Sequence, residues 1–347
     1  MTNTGAATAL LFFLALAPSI SRAQDTTLVV VRIVDQTALT PIPNSEVEVN
    51  DGRTKARRLA DSAGIARIRI TATGQFHVRV RQLGFAPVER TVEVADALPA
   101  RDSLVIALQR LAYALPPVST TEERRCATLD SAASLSAAAA LEQLRLAADR
   151  YQDFRTQYPF HASLERRTIT LNDNGKPRSV RVNKEDAPSK EWGDPYVPRE
   201  VLHDERVGFS VSLLFVSALA DSAFWARHCF TVRGMASIAD QRVVRMDFRP
   251  ADGITDVDWR GTVSIDSATS MLRRIDFQLA GLPNDGNPRR LEGYTTFTSP
   301  SPFVSVPDST IAIWWRRDSP RAVEGQHPDV VQLLRLAGIR FDKARPP

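Results

Sequence analysis

Apolar residues recur at every second position through most of this chain, and that period constrains its fold more than any motif. The stretch "VRVRQLGFAPVERTVEV", residues 78–94, shows the pattern. Val78, Val80, Val88, Val92 and Val94 suit one face of half-buried strands, which leaves Arg79, Arg81, Arg90 and Glu93 for water. Gly84 and Pro87 interrupt the run, as expected where one strand ends and the next begins. The same alternation recurs in "TLVVVRIV" from Thr27, at Val47 and Val49, at Ile65, Ile68 and Ile70, and in "DSLVIALQRL" up to Arg110. About seven short strands with turn signals at roughly 8–12-residue spacing predict a β-sandwich over residues 25–110.

Beyond it the composition changes. "LAYALPPVSTTEERR" reads as a linker over 111–125, with Pro116 and Pro117 breaking the pattern. Residues 127–157 then carry the strongest helical signal. Leu135, Ala139, Leu141, Leu144, Ala148 and Tyr151 fall at roughly helical spacing, and Pro159 stops the run. A second short helix is expected to open at Asp221. The rest is strand-like, with a hairpin expected around Asp173-Asn174-Gly175 and another around Ser267–Ser270. The fold class is therefore mainly β. An N-terminal sandwich precedes an α+β domain at 126–345, with a curved antiparallel sheet and one long helix.

The N-terminus bears on the compartment. "ALLFFLALA", residues 9–17, is too short to span a bilayer but suits the core of a signal peptide, and Ser21-Arg22-Ala23 offers a cut before Gln24. Residues 1–23 are thus expected to be removed, with export to the periplasm or the outer-membrane surface and no membrane span in the mature chain. The net charge of +4 is dispersed as single arginines, without the basic run and interleaved aromatics of a nucleic-acid groove. The two cysteines, Cys126 and Cys229, are read in an exported protein as one disulfide closing a loop of about a hundred residues. Two lone thiols are the alternative. A metal site is not expected, because neither cysteine sits in a CxxC pair.

Particular residues carry a family resemblance. "VDQTALTPIPNSEVEV", then "ADSAGIARI", "GQFHVRVRQLGFAPVERTVEV" and "SLVIALQRL" follow one another as in the carboxypeptidase regulatory-like domain, a transthyretin-like sandwich. Asp61 to Gly64 matches that family's D-x-x-G turn, and Gly84-Phe85 its Gly-aromatic pair. The resemblance implies a non-catalytic module for binding or spacing in exported proteins. The hairpin series "GTVSID" and "LRRIDFQL" resembles periplasmic lipoprotein-carrier-like folds, which implies a curved sheet wrapped around a helix.

The catalytic residue types form no recognisable constellation. His77, His161, His203, His228 and His327 sit in no H-E-x-x-H, and His161 to Glu165 is one residue too long for H-x-x-E. "GFSVS" at 208–212 lacks the second glycine of a nucleophile elbow. Asp256 and Asp258 face one way on a strand without further carboxylates in register. No cofactor and no metal are expected, and the chain is not expected to be an enzyme. An enzyme of unrecognised type would need His161, Glu165, His203 and Asp204 to converge. Two binding features stand out. Phe209, Leu213, Phe215 and Phe224 exceed what one strand face needs and are candidates to line a cavity for an acyl chain. Trp314 and Trp315, followed by Arg316, are candidates for a contact surface. Alternation should place one tryptophan in the core and the other at a rim. These features suit a non-catalytic envelope protein that binds an unknown envelope partner through its sandwich. The alternative is a periplasmic carrier of a lipid or other hydrophobic ligand.

Overall fold

The structure is a computed structural model that describes residues 27–50, 52, 55–70, 74–94, 104–113, 132–192, 196–205, 208–211, 214–283, 288–316 and 327–343. The signal segment, most of the linker and Cys126 lie outside the described residues.

Seven strands build the first body: β1 (Thr27–Asp35), β2 (Glu46–Asn50), β3 (Lys55–Leu59), β4 (Ile65–Ile70), β5 (Gly74–Arg81), β6 (Val88–Val94) and β7 (Leu104–Leu108). They form two sheets, ordered β4-β1-β7 and β3-β2-β5-β6. The alternate residues Val29, Val31, Ile33, Val47, Val49, Val78 and Val80 meet in a shared core with Phe76 and Phe85. This is the sandwich that the two-residue period predicts. Its D-x-x-G turn has a direct cause. The Asp61 carboxylate accepts the backbone N–H groups of Ala63 and Ile65, both at 3.0 Å. Gly64, at φ +68°, passes so close to the Ile33 carbonyl that a Cβ would stand 2.6 Å from its oxygen.

The second body opens with α1 (Ala132–Gln157). It continues through β8 (Phe160–Leu171), β9 (Pro177–Pro188), β10 (Leu202–Glu205), β11 (Gly208–Val211), α2 (Val216–Leu219) and α3 (Ser222–Arg227). Seven more strands follow: β12 (His228–Ile238), β13 (Gln241–Pro250), β14 (Asp258–Asp266), β15 (Leu272–Ala280), β16 (Arg290–Ser301), β17 (Val304–Trp315) and β18 (Val330–Phe341). Nine of these strands form one open antiparallel sheet, ordered β12-β13-β14-β15-β16-β17-β18-β8-β9. Both expected hairpins are present, β8–β9 and β14–β15. Asp221 caps α3 by accepting the Ala223 N–H at 2.8 Å.

α1 lies against one face of this sheet. Leu144, Ala148, Tyr151 and Phe154 pack there with Met246, Phe248, Trp259, Val263 and Ile275. On that inner face the strands approach too closely for side chains at two positions. A Cβ on Gly261 would run into the Asp276 carbonyl oxygen, and one on Gly293 into that of Ile311. Gly293→Ala is therefore expected to destabilise the fold by about 1–3 kcal/mol, read as a lower urea midpoint with an unchanged slope.

The stretch "QLGF" joins the two bodies. Leu83 belongs to the core under α1 while Phe85 belongs to the sandwich core. Between them Gly84 (φ +78°) donates its N–H to the Gln143 side chain of α1 at 2.8 Å. Arg81 departs from the expectation that the arginines of this stretch face water. Its guanidinium is nearly buried and bonded to Glu46 at 2.6 Å, because α1 covers that end of the sheet.

Candidate functional site

Each face of the nine-stranded sheet has a different surrounding. The inner face is filled by α1 and the loops around it. The outer face meets no other described element, and alternation predicts polar residues there. One half obeys: Thr231, Asp247, Arg260, Thr262, Arg274 and Asp276 occupy outer positions on β12 to β15. The other half does not. The register places Val180, Ile169, Val331 and Ile313 side by side across β9, β8, β18 and β17. Two residues along, Val182, Arg167, Leu333, Ile311 and Tyr294 form a parallel row that reaches β16.

None of the eight apolar residues in these rows belongs to, or packs against, either core. Val180 is 55% exposed and Val182 47%, so the β9 end of the band lies open. Four inter-strand spacings give it a length of about 19 Å. Such a contiguous apolar band marks an interaction surface rather than the ordinary scatter of surface aliphatics. Lys184 and Arg335 share this face by the same register, on either side of Glu165, and no ion pair engages them among the described residues.

The tryptophan pair divides as alternation requires. Trp314 packs on the inner core, whereas Trp315 takes an outer position beside the band, with the Arg290 guanidinium 4.6 Å from its ring centre. Arg316 is exposed, and its backbone N–H donates to Asp329 at 2.7 Å. The phenylalanine group lies elsewhere. Phe215 and Phe224 are buried core residues, with Phe224 edge-on to Tyr196 and stacked on His228 at 3.9 Å. Phe209 sits in β11, and its side chain and Leu213 lie outside the described residues. Cys229 is buried on β12, and Cys126 lies outside the described residues.

Asp256 and Asp258 share Arg227 as a partner. Tyr196 donates its hydroxyl to Asp258 at 2.7 Å, and Arg227 reaches both carboxylates, at 3.0 Å from Asp256 and 3.4 Å from Asp258. His228, buried against Asp258 at 3.4 Å, directs its two ring nitrogens at the carbonyls of Phe224 and Trp259. Burial works to raise the Asp258 carboxyl, but the hydrogen bonds from His228 and Tyr196 outweigh it and hold it below the usual carboxylate range. Burial and the neighbouring carboxylate push the Tyr196 phenol well up. Both Asp258 oxygens and Asp256 Oδ2 are taken up inside this network, which reads as structural.

A groove of about 450 Å³ opens beside it, lined by Arg233, Arg249, Arg260, Asp247, Thr231 and Thr262. Its cations have internal partners: Arg233 on Asp247, Arg249 on Asp252, and Arg260 on the Gln278 amide oxygen. This leaves the groove a weaker ligand site than the open band. His161 is held by Asp186 at 3.1 Å and Glu165 by Arg167 at 3.4 Å. The side chains of His203 and Asp204 lie outside the described residues. Among the described residues, no group of three His, Cys, Asp or Glu could hold a metal ion, and no helix is long and apolar enough to cross a membrane.

The doubled apolar pairs in "STIAIWW" and "VVQLLRL" were the available signal for the band. Adjacent apolar residues on a strand serve both faces, which marks a strand with something to bury on each side.

No family model matches this chain, and no curated protein matches it. Three solved structures are similar to part of this chain. A DUF1329 family protein from Desulfovibrio piger is 9% identical, with 58% of this chain and 93% of that one aligned at a TM-score of 0.32. A LolA superfamily protein from Nitrosomonas europaea is 13% identical over 60% and 94% at 0.32. A putative outer membrane lipoprotein-sorting protein domain from Vibrio parahaemolyticus is 11% identical over 58% and 94% at 0.29. The latter two carry the lipoprotein-carrier description that the hairpin series resembles; no comparison supports the carboxypeptidase regulatory-like resemblance of the sandwich. TM-scores this low leave the likeness at that, and the case for the site rests on its own residues.

Proposed function

We propose that this chain is a non-catalytic, exported protein of the cell envelope that binds an anionic amphiphile, such as an acyl-bearing lipid or a lipoprotein end, on the outer face of its sheet. The observation that carries this reading is the apolar band spanning five strands outside both cores, with Lys184 and Arg335 on the same face and outside any ion pair among the described residues. An acyl chain laid along the rows would bury aliphatic side chains now in water, at about 0.8 kcal/mol per buried methylene. The cations would meet the charged group. In this reading a Cys126–Cys229 disulfide ties the start of the α1 segment to β12, and the sandwich is the interaction module. The protein's own core accounts for Phe215 and Phe224, so the band takes the place of the cavity they suggested.

Native mass spectrometry of the mature protein purified from periplasm, followed by lipid extraction, tests the proposal. An acyl species is expected in the intact complex. Leu333→Glu, which places a carboxylate at the centre of the band, is expected to lower the co-purified amount at least about tenfold. Because Leu333 belongs to neither core, the melting temperature should hold. An empty wild-type protein that also ignores added fatty acid would defeat the lipid reading and leave a protein partner as the occupant of this face.

A further inference from the structure

β9 is the last strand of the nine-stranded sheet, and its outer edge pairs with no described strand. Its residues from Pro177 to Asp186 are all exposed. Alternate residues of such an edge turn their N–H and C=O groups away from the sheet, which is a template for one more strand. The side chains add a condition. Lys176, Arg178, Arg181 and Lys184 are all cationic, and none has an ion-pair partner among the described residues. By register Lys184 lies on the outer face, whereas Arg181, opposite Thr168, lies on the inner one.

This distribution selects the occupant. A flat bilayer against the outer face would meet Lys184 and miss Arg181. A second copy pairing through its own β9 about Arg181 would set cation against cation, a destabilising arrangement, and the register that brings Glu185 opposite Arg181 would set Lys184 against Val182. Only a chain lying in the plane of the sheet, alongside β9, reaches cations on both faces. Val180 and Val182 then ask for apolar residues at the matching outer positions of that chain, which would prolong the apolar rows by one strand.

We infer that the β9 edge binds an extended segment of a partner protein, rich in acidic residues and carrying alternate apolar ones, as a tenth strand of the sheet. Backbone hydrogen bonds supply the docking and the four cations set its charge preference. The inference rests on the edge and not on the lipid reading. A carrier that holds its cargo on the outer face keeps this edge free for a donor or receiver protein.

The test uses the full mature protein and a short capped peptide of sequence Glu-Glu-Val-Glu-Val-Glu-Glu, whose two valines share one face and whose glutamates lie on both, with its lysine-for-glutamate counterpart as control. Binding is read by fluorescence anisotropy, and its location by amide hydrogen exchange. The acidic peptide is expected to bind and to slow exchange within residues 178–185, while the lysine peptide does neither. The doubly charge-reversed R181E/K184E, altered at exposed side chains only, is expected to bind it at least about tenfold more weakly with an unchanged melting temperature. Binding without protection in β9, equal binding by the charge-reversed variant, or no binding at all would overturn the inference.

Discussion

Asp258→Asn lowers the free energy of unfolding at neutral pH by about 3–5 kcal/mol, the range for breaking a buried ion pair by neutralising one partner. Asp258 is fully buried and is the common acceptor for Tyr196, Arg227 and His228. Asparagine keeps the shape but removes the only negative charge in the buried part of the network. The Arg227 guanidinium and the His228 ring then lie against a neutral amide. Arg227 retains Asp256, which is partly exposed and also held by Arg199, so the loss falls short of a wholly orphaned charge.

The same substitution has a pH signature. The folded-state value of Asp258 is depressed, so its stabilisation is present in full above the unfolded carboxylate value of about 4. It disappears as pH falls through the folded-state value. Asp35, Asp61 and Asp266 are depressed in the same direction, by backbone N–H groups and arginine partners working against burial, and add to the acid limb. Urea titrations at pH 7 and pH 3 should therefore show the variant and the wild type converging in acid. Equal stabilities at pH 7 would mean that the network contributes nothing to the fold.

The second large effect lies at the junction of the two bodies. Arg150 of α1 is 1% exposed and donates to the Asn44 carbonyl, the Gln82 side chain and, at 3.3 Å, the Arg81 carbonyl. No carboxylate touches it, and burial pushes its guanidinium down to about 10. A cation lowered in this way is a cost to the fold at neutral pH, set against three acceptors, of which Gln82 Oε1 also accepts the Leu83 N–H at 3.0 Å. Arg150→Ala removes the cost but takes a donor from each acceptor and opens a cavity. The penalties of about 1–3 kcal/mol per unsatisfied group outweigh the relief, for a net loss of about 3 kcal/mol. The loss falls on the junction, so the sandwich and the second body are expected to melt in two steps where the wild type melts in one. A single transition at an unchanged temperature would show that Gln143, Asn44 and Tyr113, bonded at 2.8 Å to Gly84, 2.8 Å to Ser301 and 2.6 Å to Ser270, carry the junction by themselves.

The site residues differ in how legible they were. Trp314 and Trp315 could be assigned to opposite faces from adjacency alone, because successive strand residues alternate whatever surrounds them. Phe215 and Phe224 could not be placed, since an apolar run reads the same whether it lines a cavity or fills a core. Burial decides between those, and burial depends on where α1 comes to rest. The aliphatic rows join two strand pairs more than a hundred positions apart, Val180 beside Ile169 and Val331 beside Ile313. Only the order β17-β18-β8-β9, in which the last strand pairs with the first of the domain, brings them together.

The amino-acid sequence by itself determined the elements: the two-residue period of the strands, the turns at Asp61–Gly64 and Ser267–Ser270, the long helix and its stop before Pro159. These are local consequences of side-chain alternation, turn chemistry and missing N–H groups. The tertiary structure alone decided which face of the sheet received α1, which aliphatics were left outside both cores, and that "QLGF" is a junction rather than a surface turn. Those outcomes follow from pairing between distant strands, where the strength of a contact depends on the partner and its register, and neither is written within reach of the residue concerned.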